Sequence, residues 1–129
     1  MVDNFFKNLD EIYPDWGDLT KDQIKEKVIM ASIVEKEYRL EEEAPLIASV
    51  FYNRLDSEDF PLLQSCATVV YVITDILEKK HPERLFYRDL AIENPYNTYW
   101  SKGLPPGPIS NPGYTALDAA FNPADTDYI

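Results

Sequence analysis

The chain has 129 residues, of which 45% are hydrophobic and 27% are charged, and its formal net charge is -11. This length suffices for one domain with a packed core, and the acidic balance disfavours binding to nucleic acid. A single cysteine, Cys66, excludes an intramolecular disulfide. No apolar run approaches the ~20 residues of a membrane span, and the N-terminus lacks the basic and apolar regions of a signal peptide.

The first half of the chain predicts three helices. Apolar residues at helical spacing indicate a short helix before the turn-like PDWGD; they are Phe5, Phe6, Leu9, Ile12 and Tyr13. A second helix is expected from Lys21 to Tyr38, because Thr20 and Gln23 have the spacing of a capping box. A third helix begins in EEEAPLIASVFYNRL, where the acidic residues and Pro45 suit a first turn.

The second half predicts shorter helices and one long irregular loop. We expect Thr68 to cap a helix in TVVYVITDILEKK, a helical turn near residues 87–91, and a last helix in TALDAAF. Residues 93–113 hold three of the four glycines and many prolines, which exclude a long helix or a central strand. Loops of this length in compact domains are usually functional. We therefore predict one mainly α domain over residues 1–129, with an α+β variant in which this loop carries a small β element.

Glu35 is unusual for its position on the second helix. At 100° per residue it lies within about 40° of a line along the helix that it shares with Ile24, Val28, Ala31 and Tyr38. Two interpretations stay open. Glu35 either reaches the surface and pairs with a lysine or arginine, or it is a carboxyl group in a partly apolar cleft, where desolvation disfavours the charged form and suits a general acid.

Glu37 points to another side of the same helix and is interpreted as a structural residue. Tyr38 returns to the line of Glu35 and is a candidate wall of the same cleft.

Side chains in the long loop and just before the fourth helix fit recognition of a sugar. Aromatic faces pack on sugar rings, and amides and hydroxyls bond to hydroxyl and acetamide groups; the loop offers Tyr96, Asn97, Thr98, Tyr99 and Trp100. The alternative is a turn with surface aromatics. Two interpretations of Gln64 and Ser65 stay open: they cap the helix that follows, or they contact a ligand.

Other chemistry has weak support in the sequence. His81 has no partners for a zinc site, and Cys66 has no histidine nearby in the sequence with which to form a Cys-His nucleophile. No glycine-rich phosphate loop occurs, so we expect neither a metal nor a cofactor. The acidic loop of Asp56, Glu58 and Asp59 has the spacing of a solvated turn, although it is a candidate source of a second catalytic carboxylate.

Five strings, in this order, resemble the MltG (YceG-like) family of bacterial endolytic murein transglycosylases. They are ASIVEKE, SVFYNRL, LQSCATVVY, PYNTYWSKGLPPGPISNPG and the AL of TALDAA. The resemblance implies a lysozyme-like helical catalytic core that cleaves peptidoglycan glycan strands between N-acetylmuramic acid (MurNAc) and N-acetylglucosamine (GlcNAc), leaving 1,6-anhydro-MurNAc ends. Some family members have been described as aminodeoxychorismate lyases, which implies pyridoxal phosphate, but we find no lysine or phosphate-site signature for it.

The resemblance also assigns site residues. Glu35 matches the catalytic glutamate, the first of the ASIVEKE string. Positions that match the family near the glycan cleft are Asn53, Gln64, Ser65, Tyr71, Tyr96, Asn97, Thr98, Tyr99, Leu104, Pro105 and Pro106. Family members often have an aspartate and a proline where Cys66 and Ala67 stand here, so the role of that region is open.

A longer parent protein is implied as well. Family members have an N-terminal transmembrane helix and a LysM-like portion, neither of which precedes Met1, and they usually continue past the equivalent of Ile129. We expect a soluble, excised catalytic-domain fragment, truncated at its C-terminus relative to the family. Its parent would act at the extracytoplasmic face of the cytoplasmic membrane, beside peptidoglycan synthases.

Two alternatives to a lytic transglycosylase are carried forward. One is a non-catalytic module that binds glycan or a cell-wall complex. The other is a hydrolytic muramidase, which would need a second carboxylate about 5 to 9.5 Å from Glu35, supplied by the acidic loop of residues 56–59.

Overall fold

The computed structural model describes residues 2–129, with side chains from Asn4 onward. Its α-helices are α1 (Val2–Ile12), α2 (Lys21–Glu37), α3 (Ala44–Leu55), α4 (Cys66–Tyr71), α5 (Tyr87–Leu90) and α6 (Tyr114–Phe121). Single 3-10 turns cover Pro14–Asp18 and Glu41–Glu43, and a π-helical turn, Val72–Ile76, continues α4. None of these helices is both long enough and apolar enough to cross a membrane.

The mainly α prediction is confirmed, and the small β element is absent from residues 2–129. The relation to lysozyme-like folds stays a prediction.

Helix α2 lies at the centre of the domain. Its start is the predicted capping box: the Thr20 hydroxyl accepts the Gln23 N–H at 3.1 Å, and the Gln23 side chain accepts the Thr20 N–H at 2.9 Å. Six consecutive residues, Ile29 to Val34, are buried. Because six residues exceed one helical turn, this half of α2 is covered on every side, and α3, α4 and α6 pack around it.

The core combines large side chains of α2 with small side chains of α6. Met30, Ile33 and Val34 are fully buried, and each such side chain contributes about 1.5–3 kcal/mol by leaving water. Helix α6 presents three alanines that let it approach α2 closely; they are Ala116, Ala119 and Ala120. The short last helix is therefore a core element.

The predicted start of the fourth helix at Thr68 is wrong. Helix α4 starts at Cys66, with Ser65 as the preceding N-cap residue. Thr68 lies inside the helix, where its hydroxyl donates to the Ser65 carbonyl at 2.6 Å. This hydroxyl also lies 2.8 Å from the Thr98 hydroxyl, so a tertiary contact uses the group that would have served as a cap.

The same helix also ends earlier than predicted. The Leu77 N–H donates to the Val72 carbonyl at 2.9 Å, which closes the π-helical turn. Glu78 then has a φ of 54°, a left-handed conformation that ends a helix. Lys79 and Lys80 consequently lie in an irregular segment rather than in a last helical turn.

Ser32 fastens the long loop to the central helix. Its hydroxyl accepts the Ile109 N–H at 3.0 Å and donates to the Ile29 carbonyl, while its own carbonyl accepts the Ser110 hydroxyl at 2.7 Å. Backbone N–H groups of the loop thus bond to a side chain of α2 and within turns rather than to a neighbouring strand, and its prolines have no N–H to donate.

We predict that Ser32→Ala lowers the free energy of unfolding by about 1–3 kcal/mol, because it leaves the buried Ile109 N–H without a partner. Urea denaturation measures this change. Ser101→Ala, in the same loop, is the control and should be neutral. A Ser32→Ala protein as stable as the control would show that this contact does not hold the loop.

We also predict an alkaline loss of stability that depends on Tyr52. Its hydroxyl donates to the Ala120 carbonyl at 2.7 Å, and burial, with a smaller effect of Glu26, raises its pKa. Above about pH 10 the unfolded chain releases the phenol proton and the folded chain keeps it, so stability falls as pH rises.

Urea denaturation at about pH 8 and about pH 11 tests this dependence. Tyr52→Phe should lose about 0.5–1.5 kcal/mol at the lower pH but show a shallower decline. Tyr87→Phe is the control, since Tyr87 is 91% exposed. Identical pH slopes in all three proteins would contradict the prediction.

Candidate active site

Glu35 lies near the end of α2, where its half-buried side chain meets the end of the long loop. Its Oε1 accepts the Gly113 N–H at 2.6 Å. In the described part of the chain, no lysine or arginine forms an ion pair with Glu35, and its second carboxylate oxygen accepts no hydrogen bond. The surface ion pair that the sequence left open is therefore not formed, and one oxygen of the carboxyl group is unengaged.

Gly113 permits this close approach of the backbone to the carboxylate. It precedes Tyr114, the first residue of α6. A Cβ atom at Gly113 would lie 3.2 Å from Glu35 Oε1, which is tight enough to displace the carboxylate. The position of the Glu35 carboxyl group thus depends on a glycine at the junction of the loop and α6.

Glu37 has a structural role that the sequence suggested only in general terms. Its Oε1 accepts the Ser65 hydroxyl at 2.6 Å and the Ala67 N–H at 3.4 Å. Ser65 makes no side-chain cap of its own on α4. Glu37 therefore satisfies the start of α4 from the neighbouring helix, and it holds α4 against the end of α2.

A concavity of about 560 Å³ opens beside this junction. Its lining comprises Lys36, Glu37, Cys66, Ala67, Val70, Tyr71, Thr74, Asp75, His81, Ile109, Ser110 and Asn111. Glu35 does not belong to this lining, although its chain neighbour Lys36 does, as does Asn111, two residues before Gly113. We call this concavity the candidate cleft.

Tyrosines form one wall near the candidate cleft. The rings of Tyr71 and Tyr96 lie with their centroids 5.0 Å apart. The Tyr96 hydroxyl packs against Gly107, where a Cβ atom would come within 2.9 Å. The Tyr99 hydroxyl lies 3.4 Å from Cys66 Sγ, and burial together with this contact raises the pKa of Tyr99 to about 12. This phenol is neutral near pH 7 and can donate a hydrogen bond.

Asn97 and Thr98 are fully buried and bond within the protein. The Asn97 amide donates to the carbonyls of Leu90 and Ile92 at 2.9 and 2.7 Å, and its oxygen accepts the Tyr99 N–H at 2.9 Å. The Thr98 hydroxyl accepts the Ser65 N–H at 2.9 Å. Their side chains expose no surface to a ligand in this conformation, and they fix the loop that carries Tyr96 and Tyr99.

Other predicted site residues lie away from the candidate cleft. Asn53 donates to the carbonyls of Thr126 and Tyr128 at 2.7 and 2.9 Å, and so holds the C-terminal segment. Gln64, at a φ of 55°, lines a different concavity with Asp59. A third concavity, against the first half of α2, is lined by Leu104, Pro105 and Pro106.

Two residues at the site were missed by sequence reasoning. Ser32 is the polar member of the apolar run VIMASIV, which is a signal that the sequence offered. Gly113 offered none beyond its place before a helix. Across residues with described side chains, no group of His, Cys, Asp and Glu is arranged to hold a metal ion.

Curated proteins of two bacteria are similar to this chain in sequence. An endolytic murein transglycosylase of Bacillus subtilis is 43% identical over 109 residues, which are 84% of this chain and 28% of that protein. One of Streptococcus pneumoniae is 36% identical over 104 residues, which are 81% of this chain and 18% of that protein. The chain thus spans less than a third of the length of these curated relatives.

A solved structure and a family model complete the comparison. The crystal structure of a YceG-like protein from Listeria monocytogenes matches 92% of this chain and 37% of that one, with a TM-score of 0.74 at 41% identity. The model of the YceG-like family matches residues 1–129. The chain therefore belongs to the YceG-like family.

Proposed function

We propose that this chain is the catalytic part of an endolytic lytic transglycosylase that cleaves peptidoglycan between MurNAc and GlcNAc and leaves 1,6-anhydro-MurNAc ends. The observation that carries the proposal is Glu35, a half-buried carboxyl group on an otherwise apolar stripe, held by a backbone N–H and not by a cation. The names of the curated relatives support the same reaction.

Glu35 would act first as an acid and then as a base. In its protonated form it gives its proton to the glycosidic oxygen as the bond to the MurNAc anomeric carbon breaks. The resulting carboxylate then takes the proton of the MurNAc 6-hydroxyl as that oxygen attacks the anomeric carbon. Glu35 ends the cycle protonated, and no water is consumed. The glycosidic bond that breaks is replaced by a bond between the MurNAc 6-oxygen and the anomeric carbon. The unengaged Glu35 oxygen is free to make both transfers.

One carboxyl group suffices for this reaction because the nucleophile belongs to the substrate. A hydrolase would need a second carboxylate to activate water or to form a covalent bond. Glu37 is already engaged by Ser65 and Ala67, and Asp59 lines a different concavity. The arrangement therefore favours internal attack over hydrolysis.

The tyrosines are our proposed sugar contacts. Tyr71 and Tyr96 provide adjacent aromatic faces, and Tyr99 provides a neutral hydroxyl. Asn97 and Thr98 then act indirectly, by positioning this wall. Sugar contacts from Asn53, Gln64, Ser65 and the segment 104–106 remain predictions. A glycan strand would have to extend beyond the candidate cleft into the other two concavities to contact Gln64 or the segment 104–106.

The setting of the reaction is also a proposal. The parent protein would hold this domain at the extracytoplasmic face of the cytoplasmic membrane through an N-terminal anchor. There it would meet nascent strands as peptidoglycan synthases release them.

We predict that Glu35→Gln abolishes the formation of anhydro ends, with a loss of at least about 100-fold, because the amide can neither donate nor accept the proton. Mass spectrometry of the ends formed from purified glycan strands measures this. Glu42→Gln, an exposed acid near the start of α3, is the control and should retain activity.

Other products would contradict the proposal in distinct ways. Reducing MurNAc ends that depend on Glu35 would identify a hydrolase. Binding without cleavage by either protein would identify a glycan-binding module. Anhydro ends formed equally by Glu35→Gln would remove Glu35 from the mechanism.

We further predict that Gly113→Ala lowers the turnover rate by roughly 10-fold while the protein stays folded, because the added Cβ displaces the Glu35 carboxyl group by a few tenths of an ångström. Gly17→Ala is the control, since its Cβ would meet no atom within 4 Å. Rates of anhydro-end formation and circular dichroism measure the two effects. Unchanged turnover in Gly113→Ala would show that the Gly113 contact does not position the acid.

A further inference from the structure

The segment 79–88, KKHPERLFYR, gathers positive charge in an acidic protein. It holds four of the 12 basic residues in a chain whose formal net charge is -11. The early end of the fourth helix leaves residues 79–86 of this segment outside any helix, and α5 begins only at Tyr87. The concentration of cations is therefore a local feature that the net charge conceals.

All four cations line one concavity of about 700 Å³, between the π-helical turn and α5. They are Lys79, Lys80, Arg84 and Arg88. Between Asn4 and Ile129, where side chains are described, none of the four forms an ion pair. Two carboxyl groups, those of Glu83 and Asp89, share the concavity with the four cations, which leaves an excess of positive charge. Asp89 accepts the Phe86 N–H at 2.8 Å and so serves the backbone of α5.

Phe86 organises the two arginines. The guanidinium carbons of Arg84 and Arg88 lie 4.8 and 4.9 Å from the centre of its ring. Stacking on an aromatic face holds a guanidinium group without using its N–H donors. Two positioned and unpaired guanidinium groups are suited to bidentate binding of a carboxylate or a phosphate.

This basic concavity adjoins the candidate cleft. His81 lines the candidate cleft, whereas its chain neighbours Lys80 and Pro82 line the basic concavity. The segment 80–82 thus separates the two. A substituent that branches from a strand in the cleft would pass over this segment to reach the arginines.

We propose that the basic concavity is a subsite for the carboxylates of the peptide stems that branch from MurNAc. This inference rests on the proposed function, since it assumes that the cleft holds a peptidoglycan strand. The sugar backbone between stems is uncharged, so the carboxylates are what a cation cluster would select. Phe86 and Leu77, both 42% exposed, would pack against the apolar parts of a stem.

Binding of soluble, uncrosslinked strands tests the subsite. One sample carries intact stems, and an amidase has removed the stems from the other, which leaves on each MurNAc only the carboxylate of its lactyl group. Titrations use Glu35→Gln, so that the strands are not cut, and compare it with the triple variant that adds Arg84→Glu and Arg88→Glu. A charge-matched control adds Lys7→Glu and Lys21→Glu, which are exposed at other positions.

We expect Glu35→Gln to bind stem-bearing strands more tightly than stripped strands, by on the order of 10-fold, and this preference should weaken as salt rises. The triple variant that adds Arg84→Glu and Arg88→Glu should lose this preference, whereas the lysine control should keep it. Circular dichroism checks that each variant is folded.

Several results would overturn the proposed subsite, and each can be distinguished from a failure of the proposed function. Equal binding of both strand types, or a preference that survives loss of the arginines, rejects the subsite alone. Equal binding combined with competition by inorganic pyrophosphate assigns the concavity to phosphate instead. No binding of either strand rejects the peptidoglycan substrate and the subsite together, whereas products without anhydro ends reject only the transglycosylase reaction.

Discussion

The hydrogen bond from the Gly113 N–H to Glu35 joins three parts of this domain. It links the end of the central helix, the end of the long loop and the start of α6. It is possible because α2 is buried on all sides from Ile29 to Val34 and emerges at Glu35, so the chain places a carboxyl group where the core ends. The site is therefore built on rigid helices rather than on the loop alone.

The long loop acts as the second support. Ser32 and Asn97 satisfy its polar groups, and Thr98 ties it to the start of α4. This pattern explains how a proline-rich segment without regular structure can hold an aromatic wall in place. Polar residues that resemble ligand contacts thus hold the loop in place, and the half-buried tyrosines beside them are the proposed sugar contacts.

Much of the helical architecture could be predicted from the sequence, because its signals are local. Thr20 and Gln23 define the start of α2, and helical phase alone separates Glu35 from Glu37. The errors arise where contacts between residues far apart in the sequence determine the local structure. Thr68 bonds to Thr98 rather than capping a helix, and Asn97 is buried by contacts that no spacing reveals. The family resemblance points to Glu35 as the proposed acid, but the burial and hydrogen-bond partners of the other predicted site residues required the structure.

The most direct test of the central claim is the origin of the oxygen in the product. If the MurNAc 6-hydroxyl is the nucleophile and Glu35 is the single acid and base, no solvent oxygen enters the product. The new strand ends then have the same mass after digestion in water enriched in ¹⁸O as after digestion in ordinary water. Mass spectrometry of strands digested by this chain, with Glu35→Gln as the blank, reads this out. Incorporation of ¹⁸O at the new MurNAc end, dependent on Glu35, would contradict the account and show that water attacks instead.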